Sequence, residues 1–229
     1  STFEAYFEGK KELFEGLAIE KMETEWKKYP VLHLDLNAKK YETPADLIAM
    51  LNQTLEKWEI VYGNEKKDRS PEERFAYVIE RAYEQAGCGV VVLVDEYDKP
   101  LLQALDNDAL LEDYRKTLKA FYGVLKSADR YLRFAFLTGV TKFSQVSVFS
   151  DLNQLNDISL DYSYATVCGI TRTELVETFT PEIEEFGRVN KLSAEETVDK
   201  MARQYDGYHF HPKGDGVFNP FSVLNAFSK

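Results

Sequence analysis

Residues 89–94 read Gly89-Val90-Val91-Val92-Leu93-Val94, and two acids, Asp95 and Glu96, follow without a break. A strand with one wet face alternates apolar and polar residues, so a run with no polar position needs cover on both faces. That is the pattern of a central strand in a parallel sheet, and it requires packed layers on either side. The neighbouring sequence can supply them. Phe75, Val78, Ile79, Ala82 and Ala86 repeat at helical spacing before the run, with a stop at Gly87. Leu110, Leu111, Tyr114, Leu118, Phe121, Tyr122 and Leu125 repeat in the same way after it. Val31 to Leu36 alternates as a strand, and Tyr131 to Leu137 predicts another buried strand, closed by Thr138-Gly139. Strands alternating with helices specify an α/β fold, a parallel sheet flanked by helices, whose ligands bind at the carboxyl ends of the strands.

Further helix starts are written in the capping residues. Thr43-Pro44-Ala45-Asp46 and Ser70-Pro71-Glu72-Glu73 each combine a hydroxyl cap, a first-turn Pro and an acid three residues on. Phe3, Tyr6, Phe7, Leu13, Phe14 and Leu17 predict a helical region that Pro30 ends. This pattern begins at Ser1 with no lead-in, which raises the expectation that something upstream has been removed. A loop rich in Ser, Asp and Asn spans 141–163, and a short strand over 166–170 is expected to close the sheet. The character then changes. Thr171-Arg172-Thr173-Glu174 and Ser193-Ala194-Glu195-Glu196 open two helices. Gly214-Asp215-Gly216 separates the arms of a hairpin, Tyr208–His211 and Val217–Asn219, and Asn219-Pro220 opens a last helix. Tyr205, Tyr208, Phe210, Phe218 and Phe221 are expected to pack the hairpin on those helices. The organisation is thus an α/β core over 1–170 and a small, mainly helical subdomain with a hairpin over 171–229.

Composition removes several function classes. The 229 residues carry a net charge of -11, which disfavours general nucleic-acid binding because phosphate contacts need clustered Lys and Arg. No membrane span is expected, since no stretch of about eighteen apolar residues occurs. No signal peptide is visible, and the expected location is the cytoplasm. Cys88 and Cys168 are far apart, lack CxxC spacing and have apolar neighbours, so buried free thiols are expected. His33, His209 and His211 are too few for a rich zinc site, and His209 and His211 read as exposed hairpin residues.

The candidate chemistry sits at two strand ends. Val90 to Val94 followed by Asp95-Glu96 resembles the Walker B element of P-loop ATPases. An acid at the strand tip can hold Mg2+ through oxygen ligands, and the next acid can orient or deprotonate an attacking water. A strand that merely ends in solvated carboxylates is the alternative. Thr138, at the tip of the second buried strand, stands where such ATPases carry a residue that senses the γ-phosphate; a simple strand cap is the alternative. Tyr97 and Asp98 read as a helix or loop start, Lys142 as a solvated cation, and Arg172 and Arg203 as weak candidates for a phosphate-contacting arginine. A PD-(D/E)XK nuclease centre does not fit, because Tyr97 stands where an acid would have to precede Lys99.

Several motifs agree in order with one family. Asp95-Glu96-Tyr97-Asp98-Lys99-Pro100, Leu137-Thr138-Gly139-Val140-Thr141-Lys142-Phe143-Ser144, Val148 to Ile158, Tyr205-Asp206-Gly207-Tyr208-His209-Phe210 and Phe218-Asn219-Pro220-Phe221 resemble the signatures of the predicted AAA-ATPase-like family. The resemblance covers essentially the whole chain. It implies a P-loop NTPase-like sheet followed by a helical lid, ATP and Mg2+ as cofactors, and a downstream PD-(D/E)XK nuclease-like domain as a partner in the same parent protein. It also implies a Gly-Lys-Ser/Thr phosphate loop just before Ser1, with Asp95 on the metal, Glu96 on water and Thr138 on the γ-phosphate. The sequence departs there: G-x-x-x-x-G-K-[ST] occurs nowhere in it, so the P-loop and its strand are missing. These 229 residues alone are therefore expected to bind ATP weakly or not at all, and the exposed sheet edge to favour self-association. The rival expectation is a non-catalytic scaffold for a protein or nucleic-acid partner.

Overall fold

Three strands, β1 (Val31–Asp35), β2 (Val90–Asp95) and β3 (Leu132–Leu137), form one parallel sheet in the order β1-β2-β3. The structure is a computed structural model, and it describes residues 1–140, 148–150, 152 and 154–228. They fall into two units, Ser1–Gln154 and Leu155–Lys229. The first contains the sheet and its helices, so the α/β class read from the apolar run and the helical periodicities is the class observed.

Helices α3 (Pro44–Tyr62) and α4 (Pro71–Ala86) lie between β1 and β2 in the chain. Both begin at the expected capping boxes with Pro in the first turn, and α4 stops at Gly87 in the left-handed region, φ 63°. Helices α5 (Lys99–Gln103) and α6 (Asp108–Ser127) connect β2 to β3, and the Asn107 side chain accepts the Leu110 amide to cap α6. In the helical layer Phe75 stacks on Phe121 with centroids 4.5 Å apart and 4° between planes, and Trp58 stacks on Phe75 at 5.6 Å. Inside the same layer the buried Arg74 donates to both Glu59 carboxylate oxygens, at 2.8 and 2.6 Å, and to Asn52 Oδ1 at 2.7 Å.

Successive side chains of a strand point to opposite faces. Val91 and Leu93 therefore share one face of β2, where they join Phe7, Tyr6, Tyr29, Val31, Phe134 and Phe136 in a single apolar cluster. Phe7 and Tyr6 belong to α1 (Thr2–Phe7), so α1 covers this face. Burial differs along the sheet. Val90 to Val94 are all buried, whereas Phe134, Ala135 and Phe136 in β3 are only half-buried, and β3 has no second strand partner among the described residues.

The opening segment departs from the expected helical region. It is α1, a 3-10 turn at Lys11–Phe14 and a short helix α2 (Ala18–Met22), because Gly9 (φ 69°) and Gly16 (φ 78°) turn the backbone left-handed and end the helical ladder. Leu13 and Leu17 are exposed as a result. The cysteines also differ from expectation. Both are free thiols, but Cys88 is half-buried in the turn after α4 and Cys168 is exposed in a turn. Apolar sequence neighbours did not bury them because each follows a chain reversal.

In the second unit, α7 (Arg172–Thr178), α8 (Thr180–Asn190), α9 (Ala194–Tyr205) and α10 (Pro220–Phe227) bury Leu175, Ile183, Val198, Met201, Phe218, Val223 and Ala226. The hairpin pairs β4 (Asp206–Tyr208) with β5 (Val217–Phe218) antiparallel. No strand forms over 166–169: the Val167 and Gly169 amides bond into local turns, and Ile170 makes an isolated antiparallel bridge to Phe218. The hairpin aromatics divide. Phe218 is buried and Tyr205 packs beside it, but Tyr208 is 50% exposed, because strands this short cannot cover every ring, and Phe221, in the first turn of α10, is 77% exposed. Among the described residues no helix is long and apolar enough to cross a membrane.

Candidate active site

The pleat of the sheet gathers the polar residues. His33 shares a face with Val31, Asp95 with Val91 and Leu93, and Thr138 with Phe134 and Phe136, and this is the face that α1 covers. The register completes the convergence. Asp35 pairs with Asp95, and Val94 with Leu137, so Thr138 comes opposite Asp95 at the carboxyl end of the sheet. Both strand tips read from the sequence therefore meet at one spot.

Asp95 is held on both oxygens. The Thr138 hydroxyl donates to Asp95 Oδ1 at 2.7 Å, and His33 Nε2 lies 3.0 Å from Oδ2. Partial burial pushes the Asp95 carboxyl up, but the Thr138 hydroxyl and the His33 ring outweigh it and set it below the usual carboxylate range. With 44% of its side chain exposed, Asp95 still presents a carboxylate edge to solvent. His33 Nδ1 in turn faces Glu4 Oε2 on α1 at 3.2 Å. Sequence reading missed His33 and Glu4. The available signal was the alternation in β1, where Leu32 and Leu34 are buried and His33 takes the opposite face, but its meeting with Asp95 depends on a register the sequence does not state.

Glu96 differs from its neighbour. It is half-buried, its side chain makes no hydrogen bond or ion pair with the described residues, and its backbone is left-handed at φ 56°. A non-glycine residue in that region costs of order 1–3 kcal/mol, and such positions cluster at functional sites. The tight turn responsible is closed by the Lys99 amide donating to the Glu96 carbonyl at 2.9 Å.

Below the acids, the two strand ends are stitched together. The Tyr97 amide donates to the Thr138 carbonyl at 2.9 Å, the Thr138 amide to the Val94 carbonyl at 2.8 Å, and the Val140 amide to Asp98 Oδ1 at 3.1 Å. Asp98 is fully buried, and Tyr97, also buried, packs on Phe149 at 4.9 Å. A Cβ on Gly139 would lie 2.4 Å from the Tyr97 ring and 2.6 Å from Asp98 Oδ1, so only glycine permits this approach. Tyr97 and Asp98 do precede a helix, α5, as expected, and in addition they fix the Thr138 segment.

No group of three or more His, Cys, Asp or Glu that could hold a metal ion exists among the described residues. In the second unit Arg172 pairs with Asp199, and His211 packs on Tyr162 while its Nδ1 accepts the Lys213 amide. His209 follows β4 rather than lying on it. Lys142 lies outside the described residues.

Residues 1–149 match the family described as "Predicted AAA-ATPase". The chain belongs to that family. A relative described as an uncharacterized protein in the vnfD 5' region of Azotobacter chroococcum mcd 1 is 36% identical over 228 residues. The match covers 100% of this chain and 42% of the relative, so this chain spans less than half of that protein's length. No solved structure matches it.

Proposed function

We propose that the strand-tip site binds and hydrolyses ATP with Mg2+ as part of a switch or motor in the full-length gene product. The observation that carries this reading is the meeting of Asp95 and Thr138 at 2.7 Å at the carboxyl end of a parallel sheet, with Glu96, which has no side-chain partner among the described residues, next to Asp95 in the chain. Asp95 would take the role of the Walker B acid and hold the metal directly or through water. The bound ion would supply neutralisation of the phosphate charge. Glu96 would orient the attacking water and accept its proton, a task for which a carboxylate is suited.

Thr138 needs a more specific assignment. Its hydroxyl carries one proton, and of its two acceptors Asp95 Oδ1 at 2.7 Å is much nearer than the Val94 carbonyl at 3.4 Å. To donate to a γ-phosphate oxygen the side chain has to turn away from Asp95, so Thr138 would exchange one partner for the other when the triphosphate arrives. The segment from residue 171 onward would act as a lid that reports the nucleotide state. The element it drives would be a domain elsewhere in the gene product, of the nuclease-like kind that the resemblance implies.

The phosphate cradle would come from outside these 229 residues, since the sequence has no G-x-x-x-x-G-K-[ST]. The half-buried β3, which has no second strand partner among the described residues, supports this, because one more parallel strand would cover it. These residues alone are then expected to bind ATP weakly; tight binding by calorimetry would contradict that. Glu96→Gln in the full-length gene product tests the reading itself. Loss of a general base lowers turnover about 100- to 10,000-fold while ATP binding persists. Unchanged turnover would remove Glu96 from the mechanism.

A further inference from the structure

We propose that His33 is the positioning residue of this site, and that it holds Asp95 in its metal-binding orientation from an anchor on helix α1. The inference rests on the ATPase reading given above and extends it to residues that reading does not use.

Glu4, His33 and Asp95 form a chain of side chains across three elements. Glu4 Oε2 lies 3.2 Å from His33 Nδ1, and His33 Nε2 lies 3.0 Å from Asp95 Oδ2. Each ring nitrogen thus faces a carboxylate oxygen, and the tautomer sets which of the two contacts the ring N–H makes. Neither ring nitrogen is left over to bind a metal, which separates His33 from a ligand. His33 is 23% exposed, Glu4 33% and Asp95 44%, so the ring is the most enclosed member of the chain. Its backbone is fixed by the β1–β2 ladder, where His33 pairs with Leu93, two residues before Asp95 and on the same face.

A second hold on Asp95 follows from the chemistry of Thr138. Either Thr138 donates its proton to Asp95 or it donates it to a phosphate; it cannot do both. If Thr138 were the sole support, Asp95 would lose its orientation at the moment the triphosphate bound. His33 contacts the other oxygen and belongs to a different strand, so its hold persists through that exchange. Glu4 does for His33 what His33 does for Asp95, fixing the ring plane. Partners that orient a ligand in this way affect metal affinity about 10- to 100-fold when removed.

The test measures Mn2+ affinity of the full-length gene product by electron paramagnetic resonance, with a non-hydrolysable ATP analogue present. The proteins compared are wild type, His33→Ala, His33→Gln, Glu4→Gln and, as a control, Asp95→Asn. We expect His33→Ala to weaken Mn2+ binding about tenfold. His33→Gln places an amide donor near the Nε2 position and is expected to stay within about threefold of wild type; Glu4→Gln falls between them. The half-saturating Mg2+ for ATP turnover is expected to move in the same order. Mn2+ affinity unchanged in His33→Ala, with Asp95→Asn abolishing binding, would overturn the role of His33 and leave the site assignment standing. Unchanged affinity in Asp95→Asn would overturn both. Equal losses in His33→Ala and His33→Gln, tracking their unfolding midpoints, would mark a merely structural ring and overturn the inference. If His33→Ala does not fold, His33→Gln and Glu4→Gln decide the question by the same readout.

Discussion

Two polar clusters in the first unit solve opposite problems. Between α3 and α4, Arg74 donates to both oxygens of Glu59 and to Asn52, and the Arg74 and Glu59 side chains are 6% and 4% exposed. The fork geometry is complete and leaves no edge for a ligand. At the sheet's carboxyl end, Asp95 is supported on both oxygens yet 44% exposed, and Glu96 has a left-handed backbone and no side-chain partner among the described residues. The first cluster is closed, as a group serving the fold should be. The second is oriented but open, as a group awaiting a ligand should be. A polar side chain in a protein interior is therefore not informative by its presence; its unused valence is.

Substitutions can break that contrast. The largest effect is expected at the open cluster. Asp95→Asn in the full-length gene product should lower Mg2+-dependent ATP turnover about 100-fold or more while moving the unfolding midpoint little; a large loss of stability with turnover per folded molecule intact would reverse the roles of the two clusters. Arg74→Ala should do the converse. It leaves a buried Glu59 unpaired, at a cost of about 3–5 kcal/mol in denaturant unfolding, without altering turnover of the molecules that remain folded. Gly139→Ala probes the stitching beneath the open cluster. The new methyl meets Tyr97 and Asp98, so about 1–3 kcal/mol of destabilisation is expected, with turnover falling as the Thr138 segment shifts.

The smallest effect is in pH. Burial raises the Asp95 carboxyl and its two hydrogen-bond partners lower it further, leaving its folded value below the unfolded one. The stability it contributes is thus fully present above the ordinary carboxylate range and is lost as pH falls through the lower folded value. In acid titrations followed by circular dichroism, Asp95→Asn should flatten the decline below about pH 4 slightly. An identical acid limb in both proteins would mean that the His33 and Thr138 contacts do not favour the charged form.

The sequence made the open cluster visible and the closed one invisible, for a physical reason. Val90 to Val94 lacks any polar position, so both its burial and its abrupt end at Asp95-Glu96 can be read from one dimension, and Thr138 closes a similar run. Arg74 and Glu59 sit within amphipathic helices among many charged residues, and nothing local distinguishes the buried pair from solvated ones. His33 was hidden for another reason: alternation gave its face, but only the β1–β2 register brings it to Asp95. The first helical region failed because apolar spacing was read through Gly9 and Gly16, whose left-handed backbones end helices. The exposed Tyr208 shows the limit of reading aromatics as core where the strands are two or three residues long.

The most direct measurement is a crystal structure of the Glu96→Gln full-length gene product with ATP and Mg2+. We expect the metal on Asp95, directly or through one water, and the γ-phosphate beside residue 96, with the Thr138 hydroxyl turned toward it and the His33 contact to Asp95 retained. A nucleotide bound elsewhere, with Asp95 and Thr138 still joined to each other and no metal near them, would contradict the assignment of this strand tip as the nucleotide site.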